Sequence, residues 1–247
     1  MSKTALFSQL NTALPWLDDA AKTDLLTYMD MVLEKNKVLN LTAITDEAEF
    51  IKKHFVDSLS LINLDICLIK TRADAAIIDV GTGAGFPGIP LAIALRGRGF
   101  KFTLCDSLQK RLDFLADVVR DLNLENVELV HARAEDLAHE PRFNEKFDIA
   151  VARAVSSLPE LCELCIPFVK VGGSFVSYKM ADSQAEIESA KNAIEILGGD
   201  AKNIGVSSYN IGAGPDDKER VLIEIKKISQ TPGKYPRKPG DIKKKPL

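Results

Sequence analysis

Gly81, Gly83 and Gly85 alternate behind Asp79 in the stretch Ala76 to Leu95, AIIDVGTGAGFPGIPLAIAL, a spacing suited to holding a ligand rather than to breaking a bond. Glycine accepts positive φ and lacks the Cβ that keeps a ligand off the backbone, so the turn is expected to leave main-chain N–H groups bare. Ahead of it, Ile77 and Ile78 form a short apolar run that reads as a buried strand. Behind it, Pro87 and Pro90 fit the first turn of a helix, where a missing N–H costs nothing, and Leu91 to Leu95 continue that helix. Gly83 to Gly88 also fit the letters G-x-G-x-x-G, but that frame starts too far beyond the strand for a dinucleotide fingerprint. Asp79 is the better guide to the ligand. A carboxylate at the strand's end repels a pyrophosphate and favours a molecule that carries an ammonium and a sulfonium.

The pattern Asp79-x-Gly81-x-Gly83-x-Gly85 resembles the first motif of class I S-adenosylmethionine (SAM)-dependent methyltransferases. Asp106 closes a second short strand, Lys101 to Cys105, roughly twenty residues past the glycine turn, where an acid binds ribose hydroxyls in nicotinamide and SAM folds alike. A third strand, Val127 to Val130, leads into Arg133-Ala134-Glu135-Asp136. In the SAM fold this loop lies beside the adenine; equally, Glu135 and Asp136 serve to start a helix, where acids favour the dipole. The fourth strand, Phe147 to Val151, ends in Ala152-Arg153-Ala154, which is neither the Asp/Asn-Pro-Pro-Tyr/Phe of exocyclic-amine methylation nor the cysteine of cytosine-C5 methylation. Arg153 instead brings a guanidinium to the rim where open α/β sheets bind ligands, and Lys179 follows the fifth strand, Gly172 to Tyr178, on the same rim. Pairing with a neighbouring acid is the alternative use of such an arginine. His54, Asp57 and Ser58 do not make a hydrolase triad, because they share two helical turns and no nucleophile elbow surrounds the serine. Cys162-x-x-Cys165 has no second pair, so its thiols read as helix packing, and no metal site is expected.

These groups need a sheet and helices to place them. From Thr4 to Leu64 the pattern is helical: Leu6, Leu10 and Leu14 share a face, and Leu25, Met29, Val32 and Leu33 another. Asn40-Leu41-Thr42-Ala43 reads as a connector. Asp46 with Glu49 predicts a capping box for a third helix carrying Phe50, His54, Phe55, Leu59 and Ile62. A further helix with Leu108, Leu112, Leu115, Val119 and Leu122 is expected to cover the sheet. Ser183 with Glu186 predicts another capped helix, stopped at Gly198 and Gly199, and a closing hairpin near Asn203 to Ile211 and Arg220 to Ile228.

At 247 residues and 46% hydrophobic content the chain can bury one large core with a helical appendage, and its four cysteines (67, 105, 162 and 165) are expected to be reduced thiols of a soluble, cytoplasmic protein. A net charge of -3 gives no global argument for nucleic acid. Local charge does: from Lys234 onward, KYPRKPGDIKKKPL sets Lys234, Arg237, Lys238, Lys243, Lys244 and Lys245 against Asp241 alone. Such a stretch reads as a solvated arm or a surface-hugging extension whose cations suit a phosphate backbone, with Tyr235 free to stack on a base. A tail that serves only solubility is the plainer reading.

From about Asn36 to the last residue the segments NKVLNLTAIT, HFVDSL, DVGTGAGFPGIPLAI, DSLQKR, RAEDL, ARAV, PFVKVGG, YPRKPG and KKKPL resemble, in order, the family of bacterial 16S ribosomal RNA guanine-N7 methyltransferases, also called the glucose-inhibited division protein B family. The resemblance implies an α/β, Rossmann-like class I methyltransferase fold with a mostly parallel seven-stranded sheet. Its expected parts are an N-terminal helical cap (1–70), a SAM-binding domain (71–230) and a basic C-terminal arm (231–247). It implies SAM contacted by Gly81, Phe86, Asp106, Ala134, Glu135 and Arg153, and transfer of its methyl to N7 of a guanine in the decoding-region loop. Guanine N7 has an in-plane lone pair and no proton, so no general base is needed and proximity is the main catalytic contribution. Arg153 and Lys179 are candidate anchors for RNA or guanine, with Lys179, Arg237, Lys238, Lys243 and Lys244 as the RNA-binding set. The expected partner is 16S ribosomal RNA or the small ribosomal subunit, with no membrane and a monomeric protein. Two departures stand out: Asp241-Ile242 where the family has Thr-Pro, and Met180 after Lys179 where glycine is commoner.

Overall fold

The computed structural model describes residues 1–63, 74–153, 156–212 and 218–247, so Cys67, Ala154 and the expected boundary at 70/71 lie outside the described residues. Helix α1 (Lys3–Ala13) starts where the Ser2 hydroxyl accepts the Ala5 N–H, and α2 (Asp19–Leu39) where the Asp18 carboxylate accepts that of Ala21. Asn40 stops α2 in the left-handed conformation. Asp46 caps α3 (Glu47–Phe50) by accepting the Glu49 N–H, as its spacing predicts. The helix does not then run on regularly. Ile51–Val56 form a π-helical turn before α4 (Asp57–Asn63), with His54 and Asp57 both buried.

The sheet follows: β1 (Ala76–Val80), α5 (Gly88–Ala94), β2 (Lys101–Asp106), α6 (Gln109–Asp121), β3 (Val127–His131), α7 (Ala134–Leu137), β4 (Phe147–Arg153), α8 (Leu158–Cys165), β5 (Val169–Met180), α9 (Gln184–Ile196), β6 (Gly205–Tyr209), β7 (Arg220–Lys226) and α10 (Pro239–Lys244). Among the described residues the sheet has seven strands in the order β3-β2-β1-β4-β5-β7-β6. The first five run parallel, and β7 pairs antiparallel with both β5 and β6. The order reverses between β1 and β4, so the crevice beyond their C-terminal ends is where a ligand belongs. This is the Rossmann-like α/β arrangement anticipated above, its central strands apolar on both sides because helices cover both faces.

The N-terminal helices share one continuous core with one sheet face: Leu10, Tyr28, Phe50 and Phe55 pack in the same cluster as Ile77, Leu104 and Val151. They are a wall of the domain and not an appendage to it. On the other face Phe147, Phe168 and Phe175 pack with Cys162 and Cys165, as the packing reading of those thiols required. The three cysteines among the described residues are free and buried.

Two expectations need correction. The Ser183 hydroxyl does not cap α9, because it donates backward to the Met180 carbonyl, and Glu186 instead accepts the Leu158 N–H at 3.1 Å. Nor is the C-terminal stretch a solvated arm. Tyr235 is 7% exposed within the second core, Ile242 is 3% exposed under α10, and Arg237 reaches the fully buried Glu163 of α8. Tyr235 is therefore unavailable for stacking on a base. Ile242, the departure from the family pattern, is the apolar anchor that holds the last helix down.

Candidate functional site

The glycine turn is closed on itself. Gly81, Gly83 and Gly85 all take positive φ, at 71°, 62° and 105°. The N–H groups of Gly81 and Thr82 donate to the Cys105 carbonyl at 2.9 and 3.0 Å, and those of Gly85 and Phe86 to the Thr82 carbonyl at 2.9 and 3.1 Å. Gly83 N–H donates to Asp106 Oδ2 at 2.9 Å. The expectation of bare N–H groups is thus corrected for these five, because the parallel strand β2 lies close enough to accept three of them and the turn's own Thr82 carbonyl accepts the other two. A pyrophosphate cradle needs those donors, and a cofactor without phosphate does not.

Asp79 acts from beneath the turn. Its Oδ2 accepts the Thr82 hydroxyl at 2.6 Å and the Gly88 N–H at 2.9 Å, tying the strand end to the start of α5. The side chain is 1% exposed, and burial pushes its pKa up from 3.8 to about 6. It does not line the cavity, so its charge does not select the ligand by direct contact as expected. Asp106 lines the cavity instead, with its side chain 3% exposed. Besides Gly83, it accepts the Leu108 N–H on Oδ1 at 2.9 Å and pairs with Arg111 at 3.2 Å. A carboxylate has about four lone-pair sites, so Oδ1 keeps capacity for a ligand hydroxyl.

A cavity of about 440 Å³ opens at this crevice, inside the ~300–1,000 Å³ range of small-molecule sites. Gly81, Phe86, Asp106 and Arg153 line it, as anticipated, joined by Leu41, His54 and Arg111, which sequence reasoning did not assign. Ala134 and Glu135 are not brought to it. They begin α7 and are not among the residues that line this cavity.

The wall opposite the turn comes from the N-terminal helices. His54 stacks on Phe86 with ring centroids 4.2 Å apart and planes 7° from parallel, and the Arg153 guanidinium carbon lies 4.9 Å from the same ring centroid. Arg153 Nη2 donates to His54 Nδ1 at 3.0 Å, which places the ring proton on Nε2, 2.8 Å from the Thr42 hydroxyl oxygen. Burial, and next the charge of Arg153, lower the His54 pKa from 6.5 to about 3, so the ring is neutral. Asn36 and Thr42 exchange two hydrogen bonds of 2.9 Å, so the Asn40-Leu41-Thr42-Ala43 connector is a fixed part of this wall. A histidine, an aspartate and a connector threonine within one apolar helical pattern were the available signal.

Arg153 Nη1 also donates to Asp57 Oδ2 at 2.8 Å and to the Lys53 carbonyl at 3.1 Å. The triad dismissed on sequence stays dismissed: the His54 nitrogens face Thr42 and Arg153, and Ser58 Oγ has no hydrogen-bond partner among the described residues. Lys179 lies one residue before the end of β5, one strand from Arg153, pairing with Glu186 at 2.6 Å and donating to the Ser156 carbonyl at 2.8 Å. Arg237 is committed to Glu163 through Nε at 2.9 Å and Nη2 at 2.7 Å, while Lys238, Lys243 and Lys244 are exposed. Burial pushes the Cys105 thiol up to about 12, which removes it as a nucleophile. No group of side chains able to hold a metal occurs among the described residues.

Comparison with known proteins fits this geometry. Residues 21–211 match the family model GidB, described as rRNA small subunit methyltransferase G. The chain is 48% identical to the Ribosomal RNA small subunit methyltransferase G of Alkaliphilus metalliredigens, over 94% of this chain and 92% of that one. It is also 48% identical to the protein of the same name from Acetivibrio thermocellus, over 94% and 90%. Among solved structures, the YcgJ protein of Bacillus subtilis shares the fold with a TM-score of 0.50 at 13% identity, covering 71% of this chain and all of that one.

Proposed function

Because the chain belongs to the rRNA small subunit methyltransferase G family, we propose that it moves the methyl group of SAM to N7 of a guanine in the decoding-region loop of 16S ribosomal RNA. SAM, when bound, supplies an electrophilic methyl on a positively charged sulfur. Gly81, Phe86, Asp106 and Arg153 are the residues that hold it, with His54 and Arg111 added to the set. The fit rests on the free acceptor capacity of Asp106 Oδ1 and on a glycine turn whose five engaged N–H groups offer nothing to a pyrophosphate.

The choice of N7 comes from the family resemblance, and one observation supports it: His54, the histidine at the cavity, is not poised to take a proton. His54 has both nitrogens engaged and a pKa near 3, and the Asp106 carboxylate is held by two backbone N–H groups and Arg111. A nucleophile that carries no proton needs only to be aligned, and the chain's work is orientation and exclusion of water by Phe86 and Leu41. Arg153 and Lys179 lie on the rim as anchors for guanine or phosphate. Lys238, Lys243 and Lys244 extend the RNA contact, and Arg237 leaves that set because Glu163 occupies it. The enzyme works as a monomer in the cytoplasm, where the small subunit and its RNA are found. Among the described residues no helix is long and apolar enough to cross a membrane.

Incubation with tritiated SAM and 16S RNA, followed by cleavage chemistry selective for N7-methylguanine, tests this reading. Label is expected at one N7-methylguanine and lost in Arg153→Gln and Lys179→Gln proteins, while Asp106→Asn weakens SAM binding in calorimetry. Label on an exocyclic amine or a ribose overturns the assignment.

A further inference from the structure

Arg153 leaves the end of β4 with 12% of its side chain exposed and is met by the Lys53 carbonyl, the His54 ring and the Asp57 carboxylate. The first two are neutral, since His54 stays unprotonated down to about pH 3. Asp57 is the anion of the set. Its two oxygens have separate duties: Oδ2 faces Arg153 at 2.8 Å, whereas Oδ1 accepts the Tyr209 hydroxyl of β6 at 2.8 Å and lies 4.0 Å from Arg220 Nε of β7. Asp57 is 1% exposed, and three separate elements therefore aim one carboxylate at one guanidinium. A long arginine at a sheet rim otherwise samples many rotamers, and this arrangement restricts it to a place beside Phe86.

We propose that Asp57 is a positioning residue for methyl transfer, supplied by the N-terminal helices, which acts by holding Arg153 at the cavity wall; the proposal rests on the role given to Arg153 above. A buried ion pair that only fastens the helices to the sheet is the competing account: it lowers the Tm of Asp57→Asn protein and leaves the kcat of the folded enzyme unchanged. If Asp57 works through Arg153, its removal matters little in a protein already lacking that arginine.

The test is a double-mutant cycle on the full chain, with methyl transfer to 16S RNA measured at saturating SAM for wild type, Asp57→Asn, Arg153→Gln and the double variant. Asp57→Asn and Arg153→Gln are each expected to lower kcat by about tenfold or more, and the second substitution to change the rate by under about twofold once the first is present. Losses that multiply overturn the proposal, as does a wild-type rate for Asp57→Asn beside an impaired Arg153→Gln. A wild-type rate for Arg153→Gln defeats the anchor role itself and this proposal with it. Should Asp57→Asn fail to fold, Tyr209→Phe releases Oδ1 without stranding a charge. It is expected to reduce kcat several-fold with Arg153 present and to have no effect in the Arg153→Gln background; equal losses in both would refute the idea.

Discussion

Two buried groups beside the cavity pull stability in opposite directions with pH. His54, lowered from 6.5 to about 3, takes up a proton on unfolding, so its contribution is complete above 6.5 and is lost as pH falls towards 3. Asp79, raised from 3.8 to about 6, holds its proton more tightly when folded, so its contribution is complete below 3.8 and is lost as pH rises through 6. Between about pH 4 and 6 the two slopes offset each other. The stability of His54→Gln protein is expected to fall with rising pH in that window, and that of Asp79→Asn protein to rise. Urea titrations at closely spaced pH values read the difference directly. Parallel curves for the two variants would mean that neither shift is as large as burial demands.

The turn between β1 and α5 shows how the same residue type does two jobs. A Cβ on Gly85 would lie 2.6 Å from Ile89 Cγ1, 2.7 Å from Tyr28 Oη and 2.8 Å from Leu115 Cδ2, so this glycine exists to let three elements meet. Tyr28 uses that closeness to donate to the Ala84 carbonyl at 2.5 Å, fastening α2 to the turn. Gly83 has only the Gly81 carbonyl within reach of a Cβ, at 4.0 Å, and faces the cavity. Gly83→Ala should then cost little beyond the ~1–2 kcal/mol of a left-handed alanine and yet lose SAM affinity. Gly85→Ala should lower Tm by well over the ~2–4 °C that 1 kcal/mol is worth in a protein of this size. Melting curves with and without SAM separate the two: the ligand-induced rise in Tm shrinks for Gly83→Ala, and the baseline Tm drops for Gly85→Ala. The opposite ranking would show that the turn is deformable.

Across the molecule, the basic C-terminus belongs to the core as much as to the surface. Glu163 is fully buried, and Arg237 satisfies it with its backbone N–H as well as its guanidinium. Removing the partner of a buried charge costs about 3–5 kcal/mol, so truncation after Gln230 is expected to destabilise α8 and the sheet, and cannot report on RNA binding alone. Reversing Lys238, Lys243 and Lys244 to glutamate leaves that pairing intact. The triple variant is expected to keep its Tm and its SAM affinity while its RNA affinity falls and loses part of its salt dependence, since each phosphate contact contributes a slope of about 0.7–0.9. Filter binding at several salt concentrations measures it. An unchanged slope would place the RNA elsewhere.

Local pattern was enough for the strands, for the glycine turn with Asp106 facing it, for the Asp46 cap and for the rim position of Arg153, because period, capping and strand ends are written within a few neighbouring residues. It was not enough for Asp79, whose carboxylate goes underneath the turn to Thr82 and Gly88, nor for His54 and Asp57, whose partner Arg153 is about a hundred residues away. For the tail, local pattern left a solvated arm and a surface-hugging extension both open: a cationic, proline-rich stretch has no local cause to fold, and a buried carboxylate on another helix gives it one. Spacing along the chain decides which backbone can form, whereas the burial of a charge is decided by what the folded chain brings against it.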